Sequence, residues 1–110
     1  MKLSIEVIDC SFGVPASNVA IELWQQTDTN WLELAVGRTG SDGRLTECLY
    51  EPLTNGNYQI DIFLDDYYAH LGSVPLYLRA IVQFRIIDPT ADLHLPVFVT
   101  PNSFHIYRGG

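Results

Sequence analysis

Basic residues are scarce in this chain. Six Lys and Arg stand against thirteen Asp and Glu, a formal net charge of −7 over 110 residues. Nucleic acids and anionic membranes both require a basic footprint, so neither is expected as a partner. Long apolar runs are missing too: nothing approaches the ~18–20 residues of a membrane span. Glu6 and Asp9 interrupt the stretch where a secretory leader needs unbroken apolarity, and a cytoplasmic location is expected. Cysteine is limited to Cys10 and Cys48. They make neither a disulfide framework nor a zinc spacing, so both are expected as reduced thiols. Strings of the GxGxxG, GxxxxGKS, GxSxG, HExxH, CxxC and calcium-loop kinds are absent.

What the chain does have is apolar bulk, 47% hydrophobic against 17% charged residues, too much for a disordered segment. Residues 1–110 are expected to form one domain. Turn signals recur at short intervals: Gly13-Val14-Pro15, Thr27 to Asn30, Thr39 to Gly43, Pro52 to Asn57 and Asp88-Pro89-Thr90. Between them lie runs rich in β-branched and aromatic residues, the pattern of an all-β sandwich or barrel. The candidate strands are Leu3–Asp9, Val19–Gln26, Trp31–Arg38, Leu45–Cys48, Tyr58–Phe63, Leu76–Ile87, Leu93–Val99 and Phe104–Tyr107. One segment departs from this. Asp65-Asp66 opens it and Gly72 closes it, which suits a short helix.

Period-two alternation places chemistry on a face. If Leu3, Ile5 and Val7 pack inward, Glu6 points out; if Leu93, Leu95 and Val97 pack inward, His94 points out. The chain has three histidines, His70, His94 and His105. His70 stays in the helix, whereas His94 interrupts an apolar strand. Asp92 and His94 would share a strand face, but no third donor converges with them, so no metal is expected. A serine or cysteine nucleophile needs a positioned base, and no residue nearby in sequence supplies one. Arg44 follows the turn Gly40-Ser41-Asp42-Gly43 and offers a planar donor fork suited to carboxylate, imide or lactam oxygens. The tail Tyr107-Arg108-Gly109-Gly110 combines an aromatic ring, a guanidinium and two positions without side-chain bulk.

These residues carry a family resemblance that runs nearly end to end. Leu3 to Asp9 followed by Gly13-Val14-Pro15-Ala16 resembles the opening strand and Gly-x-Pro-Ala turn of the transthyretin-like family, and in particular of its 5-hydroxyisourate hydrolases. Val19 to Trp24 resembles the second strand, Thr39 to Arg44 the (T/N)-x-x-D-G-R turn, and Tyr67-Tyr68-Ala69 the start of the helix. His94-Leu95-Pro96 resembles His-Val-Pro, and Tyr107-Arg108-Gly109-Gly110 the closing Tyr-Arg-Gly-Ser. The resemblance implies a two-sheet transthyretin-like sandwich with one short helix, a homotetramer (a dimer of dimers), and sites in a channel between subunits. It also implies hydrolysis of a cyclic amide without metal or other cofactor. Carried over singly, Arg44 and His94 match family site positions, and Tyr107, Arg108 and Gly109 match the tail.

Three departures change what is expected. Glu6 replaces the opening-strand histidine, His105-Ile106 replaces Ser-Thr before Tyr-Arg-Gly, and Gly110 replaces the last Ser. The reading is therefore a diverged enzyme using general acid–base chemistry on a small cyclic amide or related heterocycle, by hydrolysis or ring rearrangement. His94 is the base for water or a substrate proton. Arg44 holds a carbonyl or anionic oxygen, and Glu6 orients His94 or serves as acid or base itself. His105, Tyr107, Arg108, Gly109 and Gly110 bind substrate, and whether His105 replaces the lost imidazole is left open. A carboxylate beside an imidazole favours its charged form, so a plain copy of the parent lactam hydrolysis is the second reading. A non-catalytic small-molecule binder is the third.

Overall fold

The computed structural model describes residues 1–45 and 53–109. Cys48, Gly110 and the end of the candidate strand Leu45–Cys48 lie outside those residues. Among the described residues the elements run β1 (Leu3–Asp9), β2 (Val14–Pro15), β3 (Ala20–Gln26), β4 (Trp31–Arg38), β5 (Arg44–Leu45), β6 (Gly56–Phe63), α1 (Leu64–His70), β7 (Arg79–Ile86), β8 (Leu93–Thr100) and β9 (Ser103–Ile106). Two sheets form: one ordered β2-β1-β8-β9, with β5 also on β1, and one ordered β4-β3-β6-β7. The pairings are antiparallel except β1 with β8.

Several boundaries differ from expectation, three of them with a visible physical reason or consequence. The run Leu76–Ile87 contributes a strand only from Arg79 to Ile86. The Leu78 carbonyl accepts the Leu64 and Asp65 amides at 3.1 and 2.9 Å, and the Leu76 amide donates to the Pro101 carbonyl at 2.7 Å. These groups cap α1 and brace the β8–β9 turn, so they cannot also extend β7's ladder. Val14 and Pro15, expected as a turn, form β2 against Asp9 and Ile8; Gly13, at φ +69°, turns the chain between the two strands. The last strand spans Ser103–Ile106, ending before Tyr107.

The inward faces are those that alternation predicts. Leu3, Ile5 and Val7 of β1 and Leu95, Val97 and Val99 of β8 pack against Ile21 and Leu23 of β3 and Tyr58, Ile60 and Ile62 of β6. Each fully buried aliphatic side chain contributes about 1.5–3 kcal/mol, and slipping either strand by one residue would turn its whole set to solvent. The helix adds Leu64 and Tyr68, four residues apart on its buried face.

Asp9 is the polar exception in this core. It is fully buried, and its carboxylate accepts the Tyr67 hydroxyl at 2.8 Å, the Tyr68 hydroxyl at 3.3 Å, the Ser11 amide at 2.9 Å and the Ser11 hydroxyl. It thereby fastens the end of β1 to α1. Burial, with the hydrogen bond to Asp9 and its charge behind it, pushes the Tyr67 hydroxyl far above the usual phenol range. Burial pushes Tyr68 up to about 12; its hydrogen bond with Ser11 acts in the opposite sense, and the Asp9 charge adds to the rise.

Candidate active site

The parallel pairing of β1 and β8 organises the outer face of the first sheet. Its register sets Ser4 opposite His94, Glu6 opposite Pro96 and Ile8 opposite Phe98, and antiparallel pairing sets Phe98 opposite His105. Residues opposite one another share a face. The outward side chains are thus Ser4, Glu6 and Ile8 on β1; His94, Pro96 and Phe98 on β8; and His105 on β9.

At one end of this face four polar groups meet. The Glu6 carboxylate lies between an imidazole and a guanidinium: its Oε1 is 3.3 Å from His94 Nε2, and its Oε2 is 3.6 Å from Arg44 Nε. On the far side of the ring, His94 Nδ1 is 2.6 Å from the Ser4 hydroxyl. The Glu6 and His94 side chains retain 24% and 28% of their exposure, whereas Arg44 retains 51%. The Glu6–His94 pair is partly sheltered from solvent and still open enough for a ligand to reach.

The turn before Arg44 fixes that residue's origin. The Arg44 amide donates to Asp42 Oδ1 at 3.0 Å, and the Val7 amide donates to the Gly43 carbonyl at 2.8 Å. Gly43 sits at φ +77°, and a Cβ there would lie 2.5 Å from the Val7 carbonyl oxygen. Only glycine lets this turn lie against β1 and aim Arg44 at Glu6.

The tail residues divide. Gly109 joins the site: its amide donates to the His94 carbonyl at 2.8 Å. A Cβ at 109 would stand 2.9 Å from His94 Cδ2 and 3.0 Å from Pro96. Tyr107 lies beyond Pro96, in a ring cluster with Phe98 (centroids 6.1 Å apart, planes within 6°) and His105 (5.9 Å). Arg108 lines a separate hollow with Met1, Asp88 and Leu93. There the Thr90 hydroxyl and amide hold Asp88 below the usual carboxylate range, with Arg108 a smaller contributor.

The sequence left open whether His105 replaces the imidazole lost at position 6. Within a protomer it is not brought to His94. Its neighbour across the strands is Phe98, four residues along β8 from His94, roughly 13 Å away at ~3.3 Å per residue. Asp92 accepts the Lys2 amide at 2.8 Å and is not among the hydrogen-bond partners of His94. Cys10 is an exposed free thiol.

Ser4 was missed in the sequence. It lies 90 residues from His94, and only a parallel β1–β8 register makes them neighbours. The available signal was parity, since Ser4 and Glu6 share a face of one strand.

The comparisons with known proteins agree with this architecture. Residues 3–109 match the HIUase/transthyretin family. The chain is 32% identical to the 5-hydroxyisourate hydrolase of Ralstonia nicotianae, over 98% of this chain and 97% of that protein. Among solved structures it resembles Klebsiella pneumoniae 5-hydroxyisourate hydrolase, with a TM-score of 0.87 and 28% identity over 99% and 98% of the two chains. It also resembles sea bream transthyretin in complex with thyroxine, with a TM-score of 0.91 and 26% identity over 97% and 93%.

Proposed function

The chain belongs to the HIUase/transthyretin family, and from that premise we propose that it is a hydrolase of the 5-hydroxyisourate hydrolase type, diverged to open a small cyclic amide or related heterocycle by general acid–base chemistry. The observation that carries this reading is Glu6 bridging His94 and Arg44 on a half-sheltered face. The net reaction adds water across one C–N bond of the ring. His94 takes the proton released on attack and returns it to the departing nitrogen. Arg44 spends Nε on Glu6 and has its terminal nitrogens to direct at the carbonyl oxygen as that oxygen gains charge. Glu6 orients the imidazole and balances the charge it acquires.

Relatives bearing the hydrolase name span almost the whole chain, which supports hydrolysis over carriage. The thyroxine complex of the sea bream neighbour favours a carrier as the competing reading. We place the enzyme in the cytoplasm, and we assign it a homotetramer in which another protomer covers the outward face and excludes bulk water from His94.

The test is ring opening followed by ultraviolet absorbance, with freshly generated 5-hydroxyisourate, hydantoin and dihydrouracil offered in parallel. The diverged reading expects catalysis of at least one of the latter rings, abolished in His94→Ala and Arg44→Ala. It also expects Glu6→His to raise 5-hydroxyisourate turnover by roughly 10²–10⁴, the worth of a positioned acid or base. Wild-type turnover of 5-hydroxyisourate well above its spontaneous decay, with no other ring opened, would replace it with the authentic family activity. Binding without any turnover would replace it with a carrier.

A further inference from the structure

We propose that Ser4 is a nucleophile, and that Ser4, His94 and Glu6 form a hydroxyl–imidazole–carboxylate triad. The inference rests on the hydrolytic reading above and adds to it the group that attacks the carbonyl. Its basis is the connected line of contacts: Ser4 Oγ to His94 Nδ1 at 2.6 Å, then His94 Nε2 to Glu6 Oε1 at 3.3 Å.

The direction of the hydrogen bonds follows from the donor inventory. An ionised carboxylate only accepts, so in the neutral ring Nε2 carries the proton and donates it to Glu6. Nδ1 then holds the lone pair, and the Ser4 hydroxyl must be its donor. A serine O–H aimed at an imidazole lone pair, with the ring oriented by a third group, is the arrangement that activates a hydroxyl nucleophile. The ring nitrogens are exchanged relative to the serine-protease triad, where the carboxylate faces Nδ1. After proton transfer both nitrogens are N–H donors, so the exchange does not alter the chemistry.

The rest of the face supports the assignment. Ser4 is only partly buried, so a ligand can reach its oxygen. Arg44 stands on Glu6, at the next outward position of β1, where an oxyanion on a carbonyl attached to Ser4 would meet a guanidinium. Among the described residues, the contact of Ser11 with the Asp9 carboxylate has no imidazole and lacks this logic. Replacing a histidine by Glu6, a departure from the family pattern, is what provides the triad with its acid.

The covalent step balances without any co-reactant but water. The Ser4 proton passes to Nδ1 as the Oγ–carbon bond forms. The ring C–N bond breaks, and its nitrogen takes the proton from Nδ1. Water then attacks the resulting ester and gives a proton to Nδ1. Ser4 leaves, recovers that proton, and the ring-opened acid is released.

The experiment is labelling of the full-length chain with diisopropyl fluorophosphate, read by intact mass and peptide mapping. One adduct is expected, on the peptide containing Ser4. It should be absent in Ser4→Ala, retained in Ser17→Ala, and slowed roughly 10²-fold or more in His94→Ala and His94→Gln. Two His94 variants, each checked by thermal unfolding, separate lost activation from lost folding. Glu6 acts through His94 and is a positioning residue; Glu6→Gln should slow labelling and shift its pH profile. No adduct at Ser4, or labelling indifferent to His94, overturns the triad. Ring opening without an adduct removes the triad and leaves the proposed hydrolase standing. An adduct without opening of any cyclic amide keeps the nucleophile and removes that substrate class.

Discussion

β1 carries two carboxylates three residues apart, Glu6 and Asp9, and the strand's pleat sends them to opposite faces. Asp9 points inward, is fully buried, and is surrounded by neutral hydroxyl and amide donors from Ser11, Tyr67 and Tyr68. Glu6 points outward, is half-sheltered, and is held by a guanidinium and an imidazole. Neutral donors that are fixed in place make a strut. An imidazole beside a serine hydroxyl makes the proton-moving site proposed above. The same residue class at positions 6 and 9 therefore serves two ends, and the partners, not the carboxylates, decide which.

The comparison breaks most visibly at His94. His94→Ala should lower turnover of the best cyclic amide by roughly 10²–10⁴-fold, or about 3–5 kcal/mol in barrier height, while the unfolding free energy read from urea titration changes by under ~1 kcal/mol. Asp9→Ala should do the reverse. It leaves a buried Tyr68 hydroxyl and a Tyr67 hydroxyl without their acceptor, a loss of about 3 kcal/mol in urea unfolding, with rate per folded molecule nearly unchanged. A large rate effect at Asp9 with little stability change would erase the division between strut and site.

Gly109→Ala sharpens the boundary from the other side. A methyl group at 109 would press on His94 Cδ2 and on Pro96 at 2.9–3.0 Å. Relief of that contact must displace either the tail or the imidazole, at about 1–2 kcal/mol of stability. Displacement of the ring would disturb its contact with Glu6, so kcat is expected to fall by more than the stability loss explains. Unchanged kcat would show that the tail alone gives way.

Much of the fold was legible because strand alternation is a local property. Leu3, Ile5 and Val7 against Leu93, Leu95 and Val97 fixed both core faces, and with them the outward direction of Glu6 and His94. Arg44 was legible through the turn that precedes it. What was not legible depends on pairing between distant segments. Ser4 meets His94 only through the β1–β8 register, Tyr67 meets Asp9 across 58 residues, and Leu78 leaves β7's ladder only because α1's first amides need an acceptor. The place of His105 depends on pairing in the same way: a neighbouring strand does not guarantee a neighbouring row, and the β8–β9 register sets it beside Phe98.

The smallest effect isolates one hydroxyl of the strut. Tyr68→Phe keeps the ring in the core and removes one of the donors to Asp9, at about 1 kcal/mol. Its pH dependence is more informative. Burial has pushed the folded Tyr68 up to about 12, whereas an unfolded tyrosine titrates near 10. Between these values the unfolded chain has released a proton that the folded chain still holds, so stability must fall as pH rises. The contribution is intact below pH ~10 and gone once pH passes ~12. Tyr67, raised further still, acts in the same sense and steepens the decline. Urea unfolding at pH 8, 10 and 11.5 should therefore show wild-type stability dropping across that window, with a shallower drop in Tyr68→Phe. Equal slopes for the two proteins would mean that Tyr68 does not hold its proton for Asp9, and that the inward carboxylate is kept in the core by Ser11 and Tyr67 instead.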